Sequence, residues 1–187
     1  MQQMKLFMLL LGCKPQGRHT EQHDIFFGIA SSLPELVPAF TAFWRGSGKL
    51  HIDAWREVTV VDGYSVNVIE KNDVPDTSGA AKLFFLNLGG YKEHEFEEYH
   101  YKLLAVAKEK SEAIQQAKET AFYKHTGFKG ADSHIDDKYG VDVDDIYQIV
   151  DILPGEMKEK YSLILRPADT AIEDEWHLGY TKLSMLI

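Results

Sequence analysis

The sequence predicts an α+β fold made of two tandem copies of one βαβ(β) unit, followed by a C-terminal β extension. The stretch "KLFMLLLGC" at 5–13 recurs as "KLFFLNLGG" at 82–90, and His-Ile-Asp at 51–53 recurs at 134–136. An interval of 77 residues, from Lys5 to Lys82, is too long for a solenoid repeat and suits a duplicated supersecondary unit. The predicted boundaries are 1–75 for the first copy, 76–80 for a linker, 81–153 for the second copy and 154–187 for the extension.

Composition limits the classes of function. The chain has 187 residues, 44% of them hydrophobic, which is enough to bury a core. Its formal net charge of −9 argues against nucleic-acid binding, because contact with a phosphate backbone depends on clustered cationic side chains. The single cysteine, Cys13, excludes an internal disulfide framework and is typical of a reducing compartment. We therefore expect a cytoplasmic protein.

The apolar start of the chain has two competing interpretations. Leu6 to Leu11 is shorter than the roughly 20 residues that span a membrane. It is also short for the core of a signal peptide, although counting Gly12 brings it to the lower limit. The same stretch recurs inside the chain, where an export signal has no use. Both stretches are therefore interpreted as buried strands, and no membrane partner is expected.

Each copy predicts the same order of elements. A continuous apolar run bounded by glycine indicates a central strand that is buried on both faces. A polar loop follows at 14–22 and at 91–99. Apolar residues in the next segment then suggest one stripe of a helix, which Pro34 and Pro38 break or restart in the first copy. The residues of this stripe are Phe26, Phe27, Ile29 and Ala30, matched by Leu103, Leu104, Val106 and Ala107.

The rest of each copy is extended. Alternation in "VTVVDGYSVNV", with Asp62-Gly63 at its centre, predicts a β-hairpin. The matching Asp145-Ile146 lacks the turn glycine, so one bent strand is the alternative there. Residues 72–79 have the composition of a linker. The extension contains two further strand candidates, "YSLILRP" and "HLGYTKLSMLI".

Two strand–helix–strand units in tandem are the ingredients of a ferredoxin-like sheet with a pseudo-twofold axis. Two separate small domains are the alternative. We favour association of the copies, because a unit of about 70 residues has a marginal core when it stands alone.

The polar residues that both copies keep are candidates for a site. Glu-x-His occurs at the predicted helix entry and His-x-Asp on the following strand, where alternate residues share a face. These residue types bind zinc and related divalent ions. A structural role is the alternative, with each Glu favouring a helix N-terminus and each His-x-Asp pair bonding across strands. The ligand-binding and metal candidates are Glu21, His23, His51, Asp53, Glu98, His100, His134 and Asp136.

The first copy also has a surplus of aromatic residues. Five of them lie between positions 26 and 44 and would present an apolar surface if they were exposed. They predict a homodimer interface formed by Phe26, Phe27, Phe40, Phe43 and Trp44.

The paired motifs resemble a known family. "LGC...ExHD" and "LGG...ExHY", followed by "HIDAW...VDGY" and "HIDD...VDDIY", are similar to a bacterial family catalogued as domain of unknown function 1543. The resemblance covers about residues 4 to 153, with His-x-Asp as its most specific part. It implies a bacterial protein with two copies of the unit, and it assigns no activity or catalytic residues.

Three interpretations of the function follow from the sequence. The first is a non-enzymatic binding or regulatory module, because no catalytic signature is recognisable and no catalytic residue is assigned. The second is a metal-dependent hydrolase, in which the repeated residues hold an ion and a carboxylate acts on a bound water. In the third, the same residues only hydrogen-bond across the copies and fix their docking.

Overall fold

The computed structural model describes residues 2–46, 48–73, 80–91, 94–125, 141–168 and 173–186. The strands are β1 (Lys5–Cys13), β2 (Gln22–Ala30), β3 (His51–Glu57), β4 (Val60–Val61), β5 (Tyr64–Glu70), β6 (Lys82–Tyr91), β7 (Glu98–Ala107), β8 (Val141–Gln148), β9 (Tyr161–Pro167) and β10 (His177–Lys182). The α-helices are α1 (Val37–Phe43), α2 (Lys110–His125), α3 (Ile149–Ile152) and α4 (Gly155–Lys160). Short 3-10 helices span Leu33–Leu36, Lys71–Asp73 and Leu183–Met185.

The chain divides into two compact units. The first unit contains Met1–Asp76 together with Ile152–Ile187, and the second contains Thr77–Asp151. The first holds a four-stranded sheet in the order β10-β3-β1-β2 and a three-stranded sheet in the order β4-β5-β9. The second holds a three-stranded sheet in the order β7-β6-β8. Neighbouring strands are antiparallel, so the predicted α+β class is confirmed.

The predicted helices after the first strand of each copy are wrong. Residues 26–30 belong to β2 and residues 103–107 belong to β7. β2 ends in five consecutive buried residues, because apolar side chains cover both faces of this part of the strand. A short run of this kind cannot be distinguished from a helical stripe by periodicity. Each unit therefore begins with an antiparallel hairpin, which pairs Lys5 with Ala30 and Lys82 with Ala107.

The helix of the first unit begins later, where the two prolines lie. Pro34 and Pro38 occupy the first turns of the 3-10 helix and of α1, where a missing backbone N–H costs nothing. Leu36 and Phe40 are fully buried against one face of the sheet. A Cβ on Gly28 would lie 2.7 Å from the Leu36 side chain, so this glycine allows the helix to approach closely.

The hairpin predicted for the second half of the first copy is present. Val60 and Val61 pair with Ser65 and Tyr64 around an Asp62-Gly63 turn in which both residues have positive φ, so the predicted hairpin is confirmed. In the second unit Val141–Gln148 form the single strand β8, the alternative that the missing glycine left open, but the register of β8 on β6 matches it to β3 and not to the hairpin.

Both predicted strands of the C-terminal extension are confirmed. β9 pairs with β5, and β10 pairs with β3, so the extension completes the sheets of the first unit. The linker expected at 76–80 lies outside the described residues except for Ala80.

The predicted single ferredoxin-like sheet is not confirmed, because the strands of the two copies belong to separate hydrogen-bonded sheets. The aromatic residues expected at a dimer interface are largely internal, since Phe26, Phe27 and Phe40 are buried while Phe43 is half exposed. Within the described part of the chain, no helix is both long and apolar enough to cross a membrane.

A buried carboxylate ties the C-terminal extension to the first unit. Asp174 Oδ1 accepts hydrogen bonds from the Thr59 backbone N–H at 2.9 Å, the Thr59 hydroxyl at 2.6 Å and the Val60 N–H at 3.2 Å. Its Oδ2 lies 3.6 Å from Arg56 Nη1. The Arg56 guanidinium in turn stacks on Trp176, 4.4 Å from the ring centroid.

Replacing Asp174 with alanine should lower the free energy of unfolding of the first unit by about 3 kcal/mol, because it leaves a buried guanidinium and two backbone donors unpaired. The three tryptophans, Trp44, Trp55 and Trp176, all belong to the first unit, so their fluorescence during urea unfolding measures this effect. The exposed neighbour Glu173 provides the control, since Glu173→Ala should change stability by less than about 0.5 kcal/mol. Equal unfolding curves for the two variants would contradict the assignment.

Candidate functional site

The register of the first sheet brings two histidines to the same place on the central strand. Gly12 of β1 pairs with His23 of β2 on one side and with His51 of β3 on the other. Residues directly opposite each other in antiparallel strands project from the same face of the sheet. Both imidazoles therefore stand on the face of Gly12, which has no side chain to separate them.

A β-bulge adds a carboxylate to this place. Leu10 pairs with Ala54 and Leu11 with Ile52, so Asp53 is the extra residue of β3. Bulges of this kind re-aim a side chain and are common next to functional sites. Asp53 Oδ1 lies 3.3 Å from His51 Nε2, so the predicted His-x-Asp pair is in direct contact.

Four predicted residues meet here. His51 Nε2 lies 3.0 Å from Glu21 Oε1, and His23 Nε2 lies 3.2 Å from Asp53 Oδ2. The two Asp53 oxygens thus face two different imidazoles. Glu21 immediately precedes β2, so it enters from a strand and not from the helix that the sequence predicted. We call these four residues, Glu21, His23, His51 and Asp53, the first centre.

His51 is the most constrained member of the first centre. Its side chain is only 5% exposed, yet its Nε2 makes no hydrogen bond within the described part of the chain despite the nearby carboxylate oxygens. Its Nδ1 lies 3.4 Å from the Lys49 carbonyl oxygen, an acceptor that favours the tautomer with the proton on Nδ1. The lone pair of Nε2 then points toward the carboxylates. This arrangement is typical of a metal-ligating histidine, whose second nitrogen donates to a backbone carbonyl.

Gly12 is a steric requirement of the first centre. A Cβ at this position would overlap Asp53 Oδ2 and would lie 2.5 Å from His51 Nε2. Both contacts are far inside van der Waals distance, so any larger residue has to displace the two side chains. Gly89, the matching residue of the second copy, would place a Cβ 2.8 Å from Asp144 Oδ1 and even closer to the other oxygen of that carboxylate.

The candidates of the second copy are only partly brought together. Glu98 and His100 lie on β7, with His100 Nε2 3.9 Å from Glu98 Oε2. His134 and Asp136 lie outside the described residues. Asp142 of β8 pairs with Gly89, so it occupies the sheet position that His51 occupies in the first unit. The equivalent of Asp53 is Asp144, whose Oδ2 is 3.4 Å from His100 Nε2.

The sequence comparison did not identify Asp144 as a candidate residue of the second copy. That comparison aligned Val141 and Val143 with Val58 and Val60, whereas the structure aligns β8 with β3. In the structure the position of His51 is occupied by Asp142, which is not a histidine. The sequence comparison therefore matched His51 to His134, because the letters His-Ile-Asp recur there. The sequence did contain one signal for the position of the site. Gly12 and Gly89 lie inside the two apolar strands, and they are separated by the same 77 residues as Lys5 and Lys82.

Tyr180 was also not predicted as part of the site. It lies on β10, and its ring centroid is 4.4 Å from that of His51. The side chain is half exposed, so it forms a wall of the first centre that solvent reaches. Nothing in the repeat indicated this residue, because the C-terminal extension has no counterpart in either copy.

Cys13 adjoins the first centre without matching its chemistry. Burial, and to a lesser extent the negative charge of Glu21, raises the pKa of its thiol. A thiolate is the form that binds metals and acts as a nucleophile. The neutral thiol therefore leaves ligation to nitrogen and oxygen donors.

Comparison with known proteins found a family model that matches part of the chain and a solved structure of similar fold. Residues 18–68 match the family model described as Domain of Unknown Function (DUF1543), a span that contains the whole first centre. No curated protein matches the chain. A solved structure described as "Crystal structure of a protein Il1583 from Idiomarina loihiensis" has a TM-score of 0.56 and 22% sequence identity, over 96% of this chain and 98% of that one. At this identity the likeness is one of fold.

Replacing Gly12 with alanine should destabilise the first unit by about 1–3 kcal/mol, because the new methyl group forces His51 and Asp53 out of their positions. Urea unfolding followed by tryptophan fluorescence measures the change. Gly155→Ala is the matched control, since a Cβ at Gly155 meets no atom of the described residues within 4 Å. The steric argument fails if the two alanine variants unfold at the same urea concentration.

Proposed function

We propose that the chain is a metal-binding protein whose first centre holds one divalent transition-metal ion of the zinc type. The observation that carries the proposal is the Nε2 of His51, a buried nitrogen that makes no hydrogen bond to the described residues and faces two carboxylates. A buried polar atom of this kind costs roughly 1–3 kcal/mol unless a partner satisfies it. A cation between the imidazole and the carboxylates supplies that partner and neutralises their charge.

The spacing of the donor atoms supports an ion. Zinc binds imidazole nitrogen and carboxylate oxygen at about 2.0–2.2 Å, so tetrahedral ligands stand roughly 3.4 Å apart. The contacts of the first centre are 3.0, 3.2 and 3.3 Å. Each of these three pairs of donor atoms therefore has about the spacing of two neighbouring ligands on one ion. The donors are all nitrogen and oxygen, which suits zinc and neighbouring first-row metals more than a soft ion.

The charge of the first centre also supports a cation. Glu21 and Asp53 bring two carboxylates to His51, while no lysine or arginine forms an ion pair with either of them within the described part of the chain. Two carboxylates beside one imidazole repel each other, and a divalent ion cancels both charges. The structural alternative instead places the N–H of the imidazole on Nε2, which would donate to Asp53 or Glu21 and leave the His51 Nδ1 without a proton for the Lys49 carbonyl.

The biological role that this supports is a binding module. We infer that the ion is the ligand of the protein, held in a unit that its C-terminal strand β10 completes. We also propose that the two units descend from one duplicated module, since both carry the same hairpin and the same bulge. A cytoplasmic location belongs to this proposal because it keeps Cys13 reduced.

Metal analysis by mass spectrometry tests the proposal. Untagged protein loaded with zinc and then dialysed should retain at least one equivalent, and the His51→Ala variant should retain about one equivalent less. His19→Ala is the matched control, because His19 is an exposed histidine in the loop that leads to the first centre. Asp53→Asn removes the charge with almost no change of shape and should also lose the ion.

Thermal unfolding separates binding from a purely structural role. Zinc should raise the melting temperature of the wild type and of His19→Ala, because a ligand at 100 times its Kd stabilises the folded state by about 2.7 kcal/mol. The rise should be clearly smaller for His51→Ala. If zinc stabilises none of these proteins, and His51→Ala is equally destabilised with zinc and with a chelator, the residues serve the fold alone and the proposal is wrong.

A metal-dependent hydrolase is the second candidate, and the exposure of the first centre favours it. Glu21 is 46% exposed and His23 is 43% exposed, so solvent reaches the side of the centre opposite His51. A water on the ion would there lie beside a carboxylate, which is the arrangement of a general base.

Glu21→Gln tests this second candidate. The variant should keep the zinc, bound by the other three residues, while hydrolysis of activated phosphate and carboxylate esters falls by at least 100-fold. Asp24→Asn, which removes a charge from the adjoining strand β2, should leave the rate unchanged. Zinc-loaded wild type without measurable ester hydrolysis would leave the binding module as the only function.

A further inference from the structure

The second unit repeats the backbone frame of the first centre. Gly89 pairs with His100 of β7 and with Asp142 of β8, as Gly12 pairs with His23 and His51. The bulge also recurs, because Asn87 pairs with Asp145 and Leu88 with Val143, which makes Asp144 the extra residue. A carboxylate is thus aimed over a glycine at the same point of both sheets.

The side chains converge as well. Glu98, His100 and Asp144 each offer one ligand atom, and these atoms lie within 4.8 Å of one another. His100 Nε2 is 3.4 Å from Asp144 Oδ2, which is about the spacing of two ligands on one tetrahedral ion. Gly89 leaves the space that this carboxylate occupies, since a Cβ there would lie 2.8 Å from Asp144 Oδ1 and 2.9 Å from Asp144 Cγ.

We propose that Glu98, His100 and Asp144 form a second divalent-cation site, weaker than the first centre and more selective for ions that prefer oxygen. We call it the second centre. The proposal goes beyond the first centre and does not depend on an ion being bound there. It also replaces the ligand pair that the sequence comparison suggested, because Asp144 takes the place that was expected of Asp136.

The difference in donors sets the difference in selectivity. The first centre has two imidazoles, while the second has one, because the position of His51 belongs to Asp142. Imidazole favours zinc, copper and nickel, whereas carboxylate and water favour manganese and magnesium. The second centre therefore shifts the preference toward Mn²⁺, relative to the first.

Exposure sets the difference in affinity. The side chains of Glu98, His100 and Asp144 are 41%, 38% and 32% exposed, whereas His51 of the first centre is 5% exposed. Solvated ligands are more mobile and have to be ordered when the ion binds, which reduces affinity. We therefore expect an ion that exchanges readily and is lost on dialysis.

Manganese titration followed by electron paramagnetic resonance tests the second centre. Free Mn²⁺ gives a six-line signal that weakens when the ion binds, so the titration counts bound ions. The full-length His51→Ala protein is used, because it lacks the proposed ligand of the first centre. It should bind one Mn²⁺, and adding Asp144→Asn should weaken that binding at least tenfold.

Two further variants keep the result interpretable. Asp145→Asn removes the same charge from the adjacent residue of β8, whose carboxylate contacts Asn87 and Tyr147 instead, and it should bind Mn²⁺ as the His51→Ala parent does. Glu98→Gln is a second ligand change at the start of β7 and should weaken binding as Asp144→Asn does. Equal losses for Asp144→Asn and Asp145→Asn would mean general attraction to an acidic surface and would overturn the proposal, as would a parent protein that binds no Mn²⁺. Neither result bears on zinc at the first centre.

Discussion

The close approach of His51 and Asp53 to the backbone of Gly12 is the contact on which the site depends. A central strand that is apolar on both faces has no room for polar groups, except where a glycine removes the side chain. The bulge at Asp53 then turns a carboxylate into that space, and the Lys49 carbonyl holds the imidazole beside it. The chemistry of the site therefore follows from the backbone of three strands.

The two units use this frame differently. In the first, strands of the C-terminal extension complete the sheets, and β10 places Tyr180 against His51. Asp174 anchors the same extension through the backbone of Thr59 and Val60. The second unit keeps the hairpin, the bulge and the glycine, but it has Asp142 in the position of His51. The two units thus share the backbone geometry of the site and differ in its donor atoms.

The sequence predicted the strands and the polar residues better than it predicted their partners. The buried strands, the Asp62-Gly63 hairpin and both strands of the extension follow from local patterns. The helix expected at 26–30 is a strand, because a short segment buried on both faces has the same apolar run as a helical stripe. Asp144 could not be found by matching letters, since its position is set by the register of β8 on β6. Tyr180 reaches His51 through a long-range strand pairing that no local pattern encodes.

X-ray absorption spectroscopy of the zinc-loaded protein tests the central claim most directly, because it identifies the atoms that bind the ion. The account predicts nitrogen and oxygen ligands at about 2.0–2.1 Å, together with the outer-shell scattering of imidazole rings. A sulfur ligand at about 2.3 Å would instead place the ion on Cys13, the single cysteine of the chain. That result, or a spectrum without imidazole scattering, would contradict a metal site built on His51 and Asp53.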